Sequence, residues 1–309
     1  MIRRPPRSTR KESSAASDVY KRQGKSNFAV KLAKKIDGEI INADSMQVYK
    51  ELKVLSARPF KKDYQKIKHH LYGFQSVTKN FSTGDWLKLI DQKILNLKKR
   101  KKVPIIVGGT GLYFKALTDG LVNIPSIPIK FREKIRSLHK KIGPKRFFSR
   151  LIKLDPLAKH NLNYSDTQRC IRAYEVKSFT KSSIYDWFKK TKSNYEQKDF
   201  YKIYIDFPRN ELLDRISLRA KEMIKKGAVL EVKRFIKIKV RKDKTAHKAI
   251  GINEIAQYIQ KKIEINQVIE KISIKTRQYA KRQSTWARGN MQNWIKMNPT
   301  VLKKFLKKI

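Results

Sequence analysis

The 309-residue chain has one cysteine, Cys170, so no disulfide framework can form within it and no cysteine-based zinc site is open to it. It has no apolar run near the ~18 residues of a membrane-spanning helix. Glycine and proline are scarce, at 12 and 10 residues, which excludes a collagen-like chain. Acidic residues are few for the number of basic ones: 26 Asp and Glu stand against 74 Lys and Arg, a formal net charge of +48. What is present is a 40% hydrophobic complement, enough for a packed core. The charge suggests a polyanionic partner, because clustered Lys and Arg displace counterions from phosphates. An AT-rich genome would also write lysine onto any surface, so the arginine positions carry more weight than the total.

Residues 1–23 differ from the rest. They hold two prolines, four serines and five arginines, with neither apolar periodicity nor the hydrophobic stretch of a secretory signal. That composition suits an organelle transit peptide or a foreign or misread leader. The second is expected here, as a non-native or disordered segment. From Ser26 onward, Phe28, Ala29, Leu32, Ala33 and Ile36 fall at helical spacing and predict a helix over 26–37. Strands are predicted at 39–42, 69–74, 103–107 and 201–207, and helices at 84–100, 209–226, 228–238, 251–261 and 266–285. Alternating strands and helices argue an α/β fold with a parallel sheet. Residues 121–199 open with a proline-punctuated loop and continue as basic helices. The expected organisation is a core of 24–120 and 200–309 interrupted by a helical insertion domain, 121–199.

Gly24, Lys25 and Ser26 end a phosphate-binding loop pattern and open a helix, where backbone N–H groups bind phosphate and a Ser hydroxyl ligates Mg²⁺. The pattern's first glycine would fall at Val19, and no apolar strand precedes it. Asp44 directly follows a buried strand, at the end of a parallel sheet where ligands bind, and suits a base or an indirect metal ligand; it also suits a helix cap. Thr110 sits in a second such strand end, GGTG at 108–111. Gln168, Arg169 and Arg172 share about one helical turn. Arg215 and Arg219 form another pair. The last long helix has no acid from 271 to 288 and carries Arg277, Lys281 and Arg288 on one stripe, with Tyr279, Gln283 and Trp286 on another. An acid-free stripe of this kind tracks a phosphate backbone better than it serves as a merely solvated face.

Taken together, these segments resemble the tRNA dimethylallyltransferases, or tRNA isopentenyltransferases. The matching text is GKS at 24–26, EIINADSMQVY at 39–49, ARP at 57–59, HHLYGF at 69–74, IIVGGTGLYFKAL at 105–117, DTQRCIRAYEV at 166–176, KAIGINE at 248–254 and TRQYAKRQSTWAR at 276–288. The resemblance implies a P-loop NTPase-like core with a helical insertion. It also implies transfer of a dimethylallyl group from dimethylallyl diphosphate to N6 of the adenine next to the anticodon, tRNA position 37. Asp44 would match the general base, Thr110 a catalytic hydroxyl and Arg219 the arginine that stabilises diphosphate. Gly24, Lys25 and Ser26 would bind diphosphate, with Ser26 also at the Mg²⁺. The tRNA contacts would be Asp44, Ser45, Met46, Gln47, Arg132, Gln168, Arg169, Cys170, Ile171, Arg172, His247, Lys248, Ala249, Ile250, Gly251, Ile252, Arg277, Lys281, Arg282, Gln283 and Arg288. A cytoplasmic monomer, acting on the anticodon stem-loop without a membrane, is the expectation. The family has an apolar strand and GPTASGKS where this chain has SDVYKRQGKS, so a missing central strand and weak diphosphate binding are expected. Two other readings stay open: a P-loop kinase acting on a nucleotide or small molecule, and a catalytically impaired RNA-binding relative.

Overall fold

The computed structural model describes residues 13–18 and 25–309. These divide into two compact units, one formed by the described residues up to 118 together with 195–309, the other by 119–194. In the first, six parallel strands form one sheet in the order β3-β2-β4-β1-β5-β6. The strands are β1 (Ser13–Asp18), β2 (Gly38–Asn42), β3 (His69–His70), β4 (Val103–Gly108), β5 (Phe200–Ile205) and β6 (Ile295–Met297). Because every pair is parallel, all carboxyl ends lie along one edge of the sheet.

The helices of this unit are α1 (Lys25–Ile36), α2 (Thr83–Lys99) and α3 (Gly111–Asp119), and after the second unit α8 (Arg209–Lys225), α9 (Ala228–Lys237), α10 (Ile252–Ile259), α11 (Ile265–Asn290) and α12 (Pro299–Lys308). Trp86, Ile90, Ile94 and Leu97 recur on one face of α2, and all four are buried. Ser82 caps that helix, accepting the Asp85 N–H while Asp85 accepts the Ser82 N–H. On one side of the sheet, Ile41, Ile106 and Phe114 pack with the α2 residues and Trp294. On the other, Phe28, Leu32, Ile105, Ile203 and Leu302 form a second core.

Two expectations change. Residues 1–23 offer no apolar run, yet Ser13–Asp18 pairs with β4 on one side and β5 on the other, in the slot expected to be empty. Backbone hydrogen bonding fills this slot: β4 and β5 each present a ladder edge that only another strand can satisfy. The remainder of the leader lies outside the described residues. The strand expected over 69–74 closes after His70, because Leu71 adopts a left-handed φ of 60° and turns the chain away.

The second unit, 119–194, is helical: α4 (Ile129–Leu154), kinked at Gly143–Pro144, α5 (Ala158–Asn161), α6 (Thr167–Thr180) and α7 (Ile184–Lys189). Phe147, Leu151, Cys170, Ile171 and Val176 are part of its core.

Candidate active site at the carboxyl edge of the sheet

β2 ends at Asn42, and the buried side chain of that residue shapes the loop beyond it. Its amide donates to the carbonyls of Asp44 and Leu71, both at 3.0 Å, and its Oδ1 accepts the Asp44 N–H at 2.9 Å. Asp44 is thereby held at the sheet edge, buried, with its Oδ1 accepting the Met46 N–H at 2.9 Å. The neighbouring strand end comes in close. Gly108 lies against the Ala43 carbonyl, where an added Cβ would overlap backbone. The Ala43 N–H donates to the Val107 carbonyl at 2.8 Å, and the Thr110 N–H to the Ala43 carbonyl at 3.1 Å. Thr110 then reaches across: its Oγ1 accepts the Ser45 N–H at 2.9 Å and donates to Ser45 Oγ at 3.3 Å.

Helix α11 closes this edge. Gln283 donates its amide to the Gly109 carbonyl, and the Trp286 ring covers Gly111, whose missing side chain makes the room. The Tyr279, Gln283 and Trp286 stripe therefore faces the two strand ends. Arg277, Lys281, Arg282 and Arg288 lie on the rest of the helix, all four exposed.

Beside this edge lies a cavity of about 330 Å³. Its apolar lining includes Met46, Leu55, Ile216, Met223 and Ile250, and its polar lining Ser45, Arg219, Tyr279 and Gln283. Arg219 donates to the Leu55 carbonyl at 3.4 Å. Burial pushes its guanidinium down to about 10, against the pull of the Asp44 charge, so it stays cationic at neutral pH. The Tyr279 hydroxyl is shifted upward, first by burial and then by Asp44. Tyr113 is shifted the same way and stacks on Trp86 at 4.4 Å. The Asp44 carboxylate, the Arg219 cation and the protonated phenols of Tyr279 and Tyr113 thus share a field at this edge, and Arg215, Lys248 and Arg282 add further positive charge around the cavity. That arrangement suits proton removal beside a developing anion.

Sequence reasoning missed Glu231. From α9 it accepts the N–H groups of Lys53, Val54 and Leu55 at 2.9, 2.7 and 2.9 Å, fixing the segment whose carbonyl holds Arg219. Nothing in the sequence marks one glutamate of α9 for a partner more than 170 residues away. Tyr279 was visible only as part of an apolar stripe.

Of the other expected site residues, Ser26 lies half-buried in the first turn of α1, Gly24 is outside the described residues, and Lys25 is described in its backbone alone. Lys248, Ala249 and Ile250 line the cavity. Gln168 and Arg169 are on the outer face of α6 in the helical unit, and Arg132 and Arg172 pair with Glu175 there at 3.2 and 3.3 Å. Several side chains are occupied inside the protein. The Gln47 amide donates to the Ser56 carbonyl at 3.1 Å, and the His247 ring to the Val240 carbonyl at 2.8 Å. Cys170, Ile171 and Ile252 are buried in cores. Gly251, with φ of 108°, donates its N–H to Glu254 at 2.9 Å. These groups have partners within the fold.

The family model for IPP transferases matches residues 47–290. The tRNA dimethylallyltransferase of Pelagibacter ubique (strain HTCC1062) is 56% identical over 286 residues, 93% of this chain and 91% of that protein. The chain belongs to the IPP transferase family. A second relative, the tRNA dimethylallyltransferase of Rickettsia massiliae (strain Mtu5), is 41% identical over 91% of this chain and 78% of its own length. Among solved structures, the full-length tRNA isopentenylpyrophosphate transferase of Bacillus halodurans matches 96% of this chain and 95% of its own, with a TM-score of 0.68 and 27% identity. A eukaryotic dimethylallyltransferase acting on tRNA shares the fold, with a TM-score of 0.81 over 95% of this chain and 75% of its own, at 24% identity. The family's fold, a P-loop NTPase-like parallel sheet bearing many helices, is the fold of this chain.

Proposed function

We propose that this chain is a tRNA dimethylallyltransferase: it transfers the dimethylallyl group of dimethylallyl diphosphate to N6 of the adenine next to the anticodon and releases diphosphate. The observation that carries this reading is the convergence of Asp44 and Thr110 at adjacent strand ends, beside a cavity holding Arg219, in a chain 56% identical to a protein of that name. The N6 lone pair attacks C1 of the allyl group. The C1–O bond breaks, its electron pair leaves with diphosphate, and the N6 proton passes to Asp44. An exocyclic amine is a poor nucleophile, so a buried carboxylate that takes its proton as attack proceeds lowers the barrier. Arg219 meets the charge growing on diphosphate with a cation already in place. The apolar wall of Met46, Leu55, Ile216, Met223 and Ile250 takes the five-carbon chain.

Mg²⁺ is the expected cofactor, and it would neutralise charge on the leaving diphosphate. Among the described residues no three His, Cys, Asp or Glu side chains converge on a metal position. A Ser26 hydroxyl at a helix start is the donor set of a cation that takes most of its ligands from phosphate and water.

For tRNA, Arg277, Lys281, Arg282 and Arg288 of α11, with Lys248, would meet backbone phosphates, and the adenine would leave its stack at a cost of a few kcal/mol. The reading places the enzyme in the cytoplasm as a monomer; among the described residues, no helix is long and apolar enough to cross a membrane.

The test is label transfer from dimethylallyl diphosphate to an anticodon stem-loop, run beside an ATP-turnover assay. Labelled adenine without ATP turnover is expected. ATP turnover without transfer would favour a P-loop kinase. Stem-loop binding without transfer would mark an impaired relative.

A further inference from the structure

In the helical unit, Glu175 of α6 is 1% exposed, and a buried carboxylate is costly unless paired. Three arginines surround it. Arg132 Nε and Arg172 Nη1 donate to Oε2 at 3.2 and 3.3 Å, and Arg136 Nε lies 3.8 Å from Oε1. Arg132 and Arg136 are one turn apart on α4; Arg172 is one turn before Glu175 on α6. One cation would neutralise the carboxylate, so the cluster holds two positive charges in excess. The three side chains stay 40%, 49% and 38% exposed. Each guanidinium has five N–H donors in a rigid fork; Glu175 accepts one from Arg132 and one from Arg172, and faces Arg136 as an ion pair without a hydrogen bond. Arginines gathered around one carboxylate, two by hydrogen bonds and one by charge, with donors left for solvent, match the geometry of phosphate oxygens.

From this cluster we infer that Glu175 is a positioning residue: it fixes Arg132, Arg136 and Arg172 as one phosphate-binding triplet for the tRNA backbone. Arg136 thereby joins the interface although it lies in none of the matching motifs. The inference rests on the tRNA reading above.

Glu175→Gln in the full-length chain separates positioning from bulk charge. The amide keeps the shape and removes a negative charge. If Glu175 mattered only through charge, its loss would tighten binding of a fluorescent anticodon stem-loop. Positioning gives the opposite sign: Kd and KM for the stem-loop rise about tenfold, while kcat at saturating stem-loop stays within about twofold. Arg136→Lys, at an exposed position, keeps the charge and loses the fork; a several-fold rise in Kd is expected with the fold intact. An unchanged or lower Kd in folded Glu175→Gln overturns the inference, and if that variant does not fold, an unchanged Kd in Arg136→Lys does so. Wild-type chain that binds the stem-loop without prenylating it would refute the catalytic reading and leave this comparison decisive. Wild-type chain that does not bind the stem-loop would overturn both.

Discussion

Thr110 Oγ1 accepts the backbone N–H of Ser45 at 2.9 Å, 65 residues away in sequence. Through this bond the end of β4 sets the loop that begins with Asp44. Thr110→Val would keep the side-chain shape and leave the Ser45 N–H unpaired, at a cost of about 1–3 kcal/mol. Denaturant unfolding should show that loss, and single-turnover prenyl transfer should fall more than ~10-fold. Thr110→Ser, which keeps the oxygen, should recover most of both. A fully active Val variant would mean the hydroxyl has no part in the site.

Gly108→Ala and Gly111→Ala should differ in degree. At Gly108 the new Cβ meets the Ala43 carbonyl, backbone that is already hydrogen-bonded and cannot swing aside. At Gly111 it meets the Trp286 ring, a side chain that can shift. Overpacking of this kind costs about 1–3 kcal/mol, and the Gly108 variant should sit at or above the upper end. Chemical unfolding of the two variants checks the order; a Gly108 variant as stable as wild type would contradict the close approach of β2 and β4.

Acid stability should depend on Glu39. Burial alone would raise its carboxyl, but hydrogen bonds and charge from Arg100 and His70 outweigh that and hold it at about 2, below its ordinary 4.5. The folded state therefore binds its proton later than the unfolded state. The stabilisation is complete above about pH 4.5 and is lost as pH falls toward 2. Solvent around the half-exposed Arg100 screens part of it, leaving about 1–3 kcal/mol. Stability profiles of wild type and Glu39→Gln should be separated at pH 6 and converge near pH 2. Parallel profiles would refute the assignment.

The leader offers a further test. Ser13–Asp18 occupies a sheet position flanked on both sides, yet its sequence, SSAASD, lacks the branched apolar residues usual in such strands. Val19 stands where a phosphate loop needs glycine. Replacing residues 1–23 with an apolar strand and GPTAS, joined to Gly24, should raise the melting temperature. Prenyl transfer should rise ~10²-fold, the equivalent of a few kcal/mol of charge stabilisation. Equal rates at the same substrate concentrations would show that the leader already serves as the loop.

Much of this was legible in the sequence because burial writes periodicity. Trp86, Ile90, Ile94 and Leu97 announce α2, and the run IIV at 105–107 announces β4. Asp44 and Thr110 were legible because each follows a buried strand. β1 was not, since its place is set by the open edges of β4 and β5 rather than by its own side chains. β6 and α12 lie past the last motif and were not anticipated. Motif text also hides which side of a helix a residue takes: within QRCIR at 168–172, Arg169 faces out while Cys170 and Ile171 enter the core. Glu231 and Arg219 meet only through a loop more than 160 residues distant, a relation no local pattern encodes.

The most direct measurement is the single-turnover rate of prenyl transfer to an anticodon stem-loop by wild type and Asp44→Asn, with stem-loop affinity measured in parallel. The Asn side chain keeps the shape at the end of β2 and removes the proton acceptor. A general-base role for Asp44 requires a rate at least ~10²-fold lower, with Kd within about twofold of wild type. A variant that transfers the prenyl group at the wild-type rate would contradict it.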